Sequence, residues 1–324
     1  MNTNENPYPP SPEVIEAIKQ ETNNLIRRYP PSLADSLLVK ASEVFNIDPD
    51  RIIAGNGCDE ILSIITRSIV GPGDRVLIFT PTYTLYKTLV NIQDGNIIDF
   101  QYQEDFRLPE SGFPQDTRLT FLCNPHSPSG VFCEIDKVSD FAKKLKGILV
   151  LDEAYVDFAE DNGLRLLKKH ENVIILRSMS KSFSLAGMRI GFAMAQKPLI
   201  EQLLKVKDSY NLNRVSIRAG IAALNDISWM KKNRKQIIDT RNRLTSFLMN
   251  EGFVVYSSQA NFVLARMPGK SLKNIYEKLK EKKIFVRYFN TSRLYDCIRI
   301  TVGDNEEVNE LIVELKKLMK KSII

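Results

Sequence analysis

The chain has 324 residues, 43% of them hydrophobic and 26% charged, with 45 Lys+Arg against 39 Asp+Glu for a formal net charge of +6. This is an ordinary globular balance, and at roughly 150 residues per domain it predicts about two domains with substantial cores. The polar start from Met1, the lack of any apolar run near the roughly 18–20 residues of a membrane span, and four cysteines (Cys58, Cys123, Cys133, Cys297) without CxxC spacing predict a soluble, cytoplasmic protein with no signal peptide, membrane span or metal site.

In chain order, an Asn- and Pro-rich start leads to a predicted helix at Ser11–Thr22. Short apolar runs then read as strands at Ile52–Ala54, Val76–Thr80, Ile97–Tyr102, Leu119–Cys123, Ile148–Leu151, Val173–Arg177 and Ile190–Ala195. Amphipathic stretches such as Glu60–Val70 and Ile135–Leu145 lie between them, the pattern of an α/β layer with a mostly parallel sheet. After residue 226 the texture changes. A long charged helix (Ser228–Asn250) precedes strands near Phe253–Tyr256, Asn261–Arg266, Ile284–Tyr288 and Cys297–Val302, with helices near Ser271–Lys282 and Asn305–Lys320. The prediction is a large domain over 29–225 and a smaller α+β domain formed by 1–28 and 226–324. The basic cluster Lys316, Lys317, Lys320 and Lys321 closes an amphipathic pattern (Val308, Leu311, Ile312, Leu315, Leu318) and reads as a solvated helix face, not a nucleic-acid patch.

In parallel sheets ligands gather at the carboxyl ends of strands. Three successive strand ends carry polar groups that a buried sheet does not need: Asn124 to Gly130, Asp152 to Tyr155, and Ser178 to Lys181 followed by Arg189 and Gly191. Each alone has an ordinary explanation, such as a helix cap or a surface lysine. Together they match the needs of pyridoxal phosphate (PLP): an amine for the aldehyde, a carboxylate at the ring nitrogen, and cations or amides for the phosphate. Lys181 would supply the amine, Asp152 would keep the pyridine nitrogen protonated, and Tyr155 would donate to the phenolic oxygen. Ser178, Ser180 and Arg189 would hold the phosphate, joined by the strand–turn–helix element at Gly57, Cys58 and Asp59. A helix N-terminus contributes about 0.3–1 kcal/mol to anion binding and a charge-assisted hydrogen bond about 1.5–3 kcal/mol, so Arg189 should outweigh the turn. That turn also resembles a dinucleotide fingerprint lacking its third glycine.

Ser178 to Gly191, Asp152 to Tyr155, the Asn4–Pro7 segment, Arg28-Tyr29-Pro30, Pro81-Thr-Tyr83 and the Arg299–Gly303 segment together resemble the fold-type-I, class I/II PLP-dependent aminotransferases. The likeness spans essentially the whole chain. It implies a mostly parallel seven-stranded sheet flanked by helices and a smaller α+β domain. Within the family the chain is most similar to members that act on histidinol phosphate. The implied reaction is ping-pong transamination of L-histidinol phosphate with 2-oxoglutarate, giving imidazole-acetol phosphate and glutamate in histidine biosynthesis. Further roles follow from the resemblance. Tyr83 should stack on the pyridine ring, Asn4 or Asn6 should lie near the substrate's amino-alcohol end, and Arg299 should hold a substrate carboxylate. Arg287 would be a second cation for the distal phosphate, and Tyr29 should reach the cofactor phosphate of a partner subunit in a homodimer. Where the family has Asn before Pro-Thr-Gly, this chain has Ser127-Pro128-Ser129-Gly130, so a shorter hydroxyl would face the phenolic oxygen. The chain also begins almost at the Asn4–Pro7 segment, where relatives carry a longer arm. L-Threonine-O-3-phosphate decarboxylase and a broad aromatic aminotransferase remain alternatives. A penicillin-binding Ser-x-x-Lys enzyme is excluded, because Ser139-Asp-Phe and Lys87-Thr-Leu fail its companion elements. His126 is expected to serve packing.

Overall fold

The computed structural model describes residues 1–320; Lys321 and the end of the predicted second domain lie outside them. The first part of the chain runs α1 (Pro12–Glu21), α2 (Asp35–Phe45), β1 (Ile52–Asn56), α3 (Gly57–Ile69), β2 (Arg75–Thr80), α4 (Leu85–Ile92) and β3 (Asn96–Gln101). It continues through β4 (Leu119–Cys123), α5 (Ile135–Lys144), β5 (Ile148–Asp152), β6 (Val173–Ser178), β7 (Ile190–Met194), α6 (Lys197–Val206) and α7 (Arg214–Asn225). The strands form one seven-stranded sheet in the order β1-β7-β6-β5-β4-β2-β3. Only β7 is reversed, pairing antiparallel with β1 and β6, while the other pairs are parallel.

The apolar runs are nearly continuous because both faces of the sheet are covered. Alternate residues serve opposite sides: Leu77, Phe79, Leu149, Leu151 and Ile175 pack with α2, α5 and α7, and Val76, Ile78, Val150, Ile174 and Leu176 with α3, α4 and α6. At the edge, β3 carries Asn96, Asp99 and Gln101 and is only partly buried, as suits a strand with one unpaired side.

The rest of the chain forms α8 (Ile227–Asn250), β8 (Val254–Val255), β9 (Phe262–Arg266), α9 (Lys273–Glu281), β10 (Arg287–Tyr288), β11 (Cys297–Thr301) and α10 (Asn305–Lys320). Its four-stranded antiparallel sheet, ordered β10-β11-β9-β8, has its own core of Leu244, Leu248, Val263, Ile298, Ile300 and Leu311 among others. Two strands are shorter than their apolar runs suggest. Ile284 and Val286 are buried in this core, but regular pairing is confined to Arg287 and Tyr288.

The N-terminal 28 residues, expected to pack with this smaller unit, are divided by their contacts. The Met1 carbonyl accepts from Thr301 N at 3.0 Å and the Pro9 carbonyl from Trp229 Nε1 at 3.0 Å, so the first residues do run along it. By contrast, α1 packs on α7, with Val14 in the larger core and Glu21 paired to Arg214 at 2.7 Å. The reason is the apolar stripe Val14, Ala17 and Ile18, which needs a helix to cover it. Asp226 marks the junction: it caps α8 at Trp229 N and accepts from Ser11 Oγ at 2.6 Å. Among the described residues no helix is long and apolar enough to cross a membrane.

Candidate active site

The carboxyl ends of β4, β5 and β6 come together, and Asp152 is the last residue of the middle one. It is buried, with Oδ1 accepting from Ala154 N at 3.0 Å and Oδ2 from the Tyr86 hydroxyl at 2.5 Å. Burial pushes its pKa up, and the two hydrogen bonds oppose that shift. No cation pairs with Asp152 among the described residues. A buried carboxylate so placed suits a cationic N–H such as a protonated pyridine.

Lys181 lies on the turn after β6. Its Nζ donates to the Thr3 carbonyl at 3.1 Å and lies 5.9 Å from the Tyr155 ring centroid. Burial, and then the nearby Arg299 charge, lower its pKa to about 8. Tyr155 accepts from Asn4 Nδ2 at 3.0 Å, and burial raises its pKa to about 12. Asn4 is itself fixed, at φ 58°: its N donates to Thr301 Oγ1 at 3.1 Å, and its carbonyl accepts from Asn261 Nδ2 at 2.9 Å. Asn6 Nδ2 donates to the carbonyls of Lys181 at 2.9 Å and Ser182 at 3.2 Å. Both asparagine side chains therefore hold expected site residues, Asn4 at the Tyr155 hydroxyl and Asn6 at the Lys181 backbone carbonyl.

The phosphate-type cradle is built by close backbone approach. Arg189, in the left-handed region at φ 51°, directs Nη2 to Asp59 Oδ2 at 3.0 Å beside the first turn of α3. Gly57 has φ 78°, and a Cβ there would sit 2.6 Å from that same Nη2. A Cβ on Gly191 would lie 2.7 Å from Cys58 N, which explains the glycine that ends the Gly-x-Arg-x-Gly pattern. A guanidinium beside a helix N-terminus, with no side chain between, fits a phosphate group. Ser178 Oγ accepts from Ser180 N at 3.1 Å, Ser180 is buried, and the Cys58 thiol donates to the Arg177 carbonyl at 3.2 Å. Gly57→Ala should weaken PLP retention about tenfold, since strain of about 1–3 kcal/mol at that φ adds to displacement of Arg189. Equilibrium dialysis against PLP checks this, and unchanged retention would contradict the assignment of the cradle.

Around this centre, Tyr83 is half-exposed and donates to Asp59 Oδ1 at 3.1 Å. Arg299 Nη1 donates to Ser127 Oγ at 3.4 Å and Nη2 to the Asn2 carbonyl at 3.0 Å, while its buried Nε has no hydrogen-bond partner among the described residues. Arg287 is its cross-strand neighbour. Neither arginine has an ion pair among the described residues. Tyr29 stands apart: it is 79% exposed, and its ring stacks on Tyr210 at 4.6 Å. His126 is buried, with Nε2 at 2.8 Å from the Pro81 carbonyl and Nδ1 at 2.7 Å from Ser129 Oγ. Burial lowers its pKa to about 4, so it is a neutral packing residue at ordinary pH.

Two features were not read from the sequence. One is Tyr86, for which the spacing Tyr83-x-x-Tyr86 at a helix start was the available signal. The other is a charge cluster behind the site: Arg177 Nη1 donates to Asp157 Oδ1 at 3.0 Å, its Nε lies 3.3 Å from Glu153 Oε2, and Ser182 Oγ donates to Asp157. Burial raises the Glu153 pKa to about 7 despite Arg177. Arg177→Met should cost about 3–5 kcal/mol at pH 8, because buried carboxylates lose their counter-charge. The cost should shrink below pH 7, where Glu153 takes up a proton, and urea unfolding at pH 8 and 6 measures both.

A buried carboxylate, a lysine of lowered pKa and an arginine beside a helix N-terminus, all near strand ends of one α/β sheet, suit a PLP-type transferase. The family model for aminotransferase class I and II matches residues 1–315, and the chain belongs to that family. It is 41% identical over 321 residues to histidinol-phosphate aminotransferase 1 of Trichormus variabilis, covering 99% of this chain and 92% of that protein. It is also 41% identical to the histidinol-phosphate aminotransferase of Geobacter sp. strain M21, covering 98% and 91%. Among solved structures, the histidinol-phosphate aminotransferase of Sinorhizobium meliloti in complex with pyridoxal-5'-phosphate matches with a TM-score of 0.92 at 28% identity, over 99% of this chain and 90% of that one.

Proposed function

We propose that this chain is a PLP-dependent aminotransferase that transfers the amino group of L-histidinol phosphate to 2-oxoglutarate, yielding imidazole-acetol phosphate and glutamate. The observation that supports the chemistry is the placement of Asp152 at the end of β5, Lys181 just past the end of the neighbouring β6, and Arg189 against Gly57 at the start of α3. The donor is supported by the printed names of relatives about 40% identical over nearly the whole chain.

When bound, PLP supplies an electron sink for the bonding pair released at the substrate's α-carbon. Arg189, the first turn of α3, Ser178 and Ser180 hold the phosphate. Asp152 keeps a proton on the ring nitrogen, and Tyr155, held by Asn4, donates to the phenolic oxygen, with Ser127 nearby. Tyr83 covers the ring face. Lys181 would take the proton from the donor's α-carbon as a base and return it as an acid two bonds away, on the far side of the donor nitrogen. Arg299 receives the carboxylate of the keto acid, and Arg287 the distal phosphate of the donor.

Because burial and Arg299 lower Lys181 to about 8, roughly a tenth of it is the reactive neutral amine at pH 7, far more than for an ordinary lysine. Covalent uptake of PLP by the protein stripped of it should therefore accelerate as pH rises through about 8 and level off above. Arg299→Met, removing a neighbouring positive charge, should move that midpoint upward. Stopped-flow absorbance reads both, and a wild-type midpoint near the ordinary lysine value would contradict this reading.

The reading includes a cytoplasmic homodimer. Exposed Leu25, Ile26, Tyr29 and Leu33 support burial of this surface by a second copy, which would bring Tyr29 to the partner's phosphate cradle. The donor is tested by steady-state glutamate formation with histidinol phosphate, histidinol and phenylalanine. Preference for histidinol phosphate that collapses in Arg287→Met supports the proposal. Equal rates would favour a broad aromatic aminotransferase, and carbon dioxide release from threonine phosphate would favour the decarboxylase.

A further inference from the structure

Tyr86 is fully buried near the start of α4, where a buried phenol must find a hydrogen-bond partner. Its ring stacks on Phe121 of β4, with centroids 4.7 Å apart and planes 3° from parallel. It also meets the Tyr83 ring edge-on, at 5.7 Å and 88°. Its hydroxyl lies 2.5 Å from Asp152 Oδ2, within the range of a charge-assisted O–H···O⁻ bond. Phenylalanine would fill the same ring space, so what the oxygen adds is the bond to Asp152 and a weaker contact with the Cys123 thiol.

We propose that Tyr86 is a positioning residue for the cofactor's pyridine nitrogen, aiming and stabilising the Asp152 carboxylate through its hydroxyl while its ring edge sets the Tyr83 ring. The inference rests on the reading of Asp152 as the partner of that nitrogen. With the hydroxyl removed, the Ala154 N–H remains on Oδ1, while Oδ2 loses the donor that best offsets burial. The other titratable groups facing Asp152 are Cys58 and Asp59 on α3, Cys123 at the end of β4, and Tyr83 and Tyr155. Tyr86→Phe leaves each of these side chains in place; of them, the Cys123 thiol also interacts with the Tyr86 hydroxyl.

The test is PLP binding to the full chain stripped of cofactor, followed by dialysis across pH, for wild type, Tyr86→Phe, Asp152→Asn and the double variant. Tyr86→Phe should bind PLP about tenfold more weakly, and the acid limb of binding should move up by about one pH unit. In the Asp152→Asn background the same change should cost less than about threefold, because the partner has lost its charge. An equal loss in both backgrounds would show that Tyr86 acts by packing and would overturn the proposal. Should Tyr86→Phe not fold, 3-fluorotyrosine at position 86 keeps the shape and strengthens the donor. Binding should then tighten and the limb move to lower pH, and no movement overturns the proposal. If wild type takes up no PLP, the proposed function fails and this inference with it. If wild type binds and Tyr86→Phe matches it at every pH, this inference alone fails.

Discussion

Lys181→Ala is expected to abolish turnover, lowering kcat by at least about 10³–10⁴-fold. Under the proposed function two contributions vanish together: the amine that would anchor the cofactor covalently, and the base that would move the proton from the α-carbon. Proton transfer by a positioned side chain alone is worth about 10²–10⁴-fold. Retention of PLP should fall less severely, because the Arg189 cradle and the Asp152 contact do not involve the lysine. A small primary amine added to the variant should restore part of the rate, by supplying the missing base in solution. Turnover close to wild type would exclude Lys181 from the role given to it.

Asp152→Asn should still take up PLP but slow the first half-reaction at least about 100-fold. Asn is nearly isosteric and can keep bonds to Ala154 N and the Tyr86 hydroxyl, so the fold and the ring's position survive. What is lost is the negative charge proposed to keep a proton on the ring nitrogen in a buried, low-dielectric site. Removing one preorganised electrostatic partner of a developing charge typically costs about 10²–10³ in rate. A rapid-mixing experiment with histidinol phosphate separates the outcomes: normal PLP content with a slow spectral change supports the role, and an unchanged rate refutes it.

Much of this arrangement is legible in the sequence, for a physical reason. Strands β2, β4, β5 and β6 are covered on both faces, so their apolar runs stand out. Ligands at parallel sheets sit at strand ends, which directed attention to Asp152, Lys181 and Arg189. The glycines of the cradle were visible as a turn, but their need, set by Arg189 and Cys58, appears only in the packing. The smaller sheet was harder to read, because burial of Ile284 and Val286 does not require regular pairing. The placement of α1 escaped because an apolar stripe does not name the surface that covers it. The supporting bonds escaped for a different reason. Tyr86 to Asp152, Asn4 to Tyr155 and Asn6 to Lys181 join positions 66, 151 and 175 residues apart, and no local pattern encodes such pairs.

The most direct measurement is single-turnover absorbance of the PLP-loaded protein mixed with L-histidinol phosphate, followed by 2-oxoglutarate. The proposed function predicts loss of the cofactor's visible band on the first addition and its return on the second, with one glutamate formed per site. A spectrum indifferent to histidinol phosphate, or a band that 2-oxoglutarate does not restore, would contradict it.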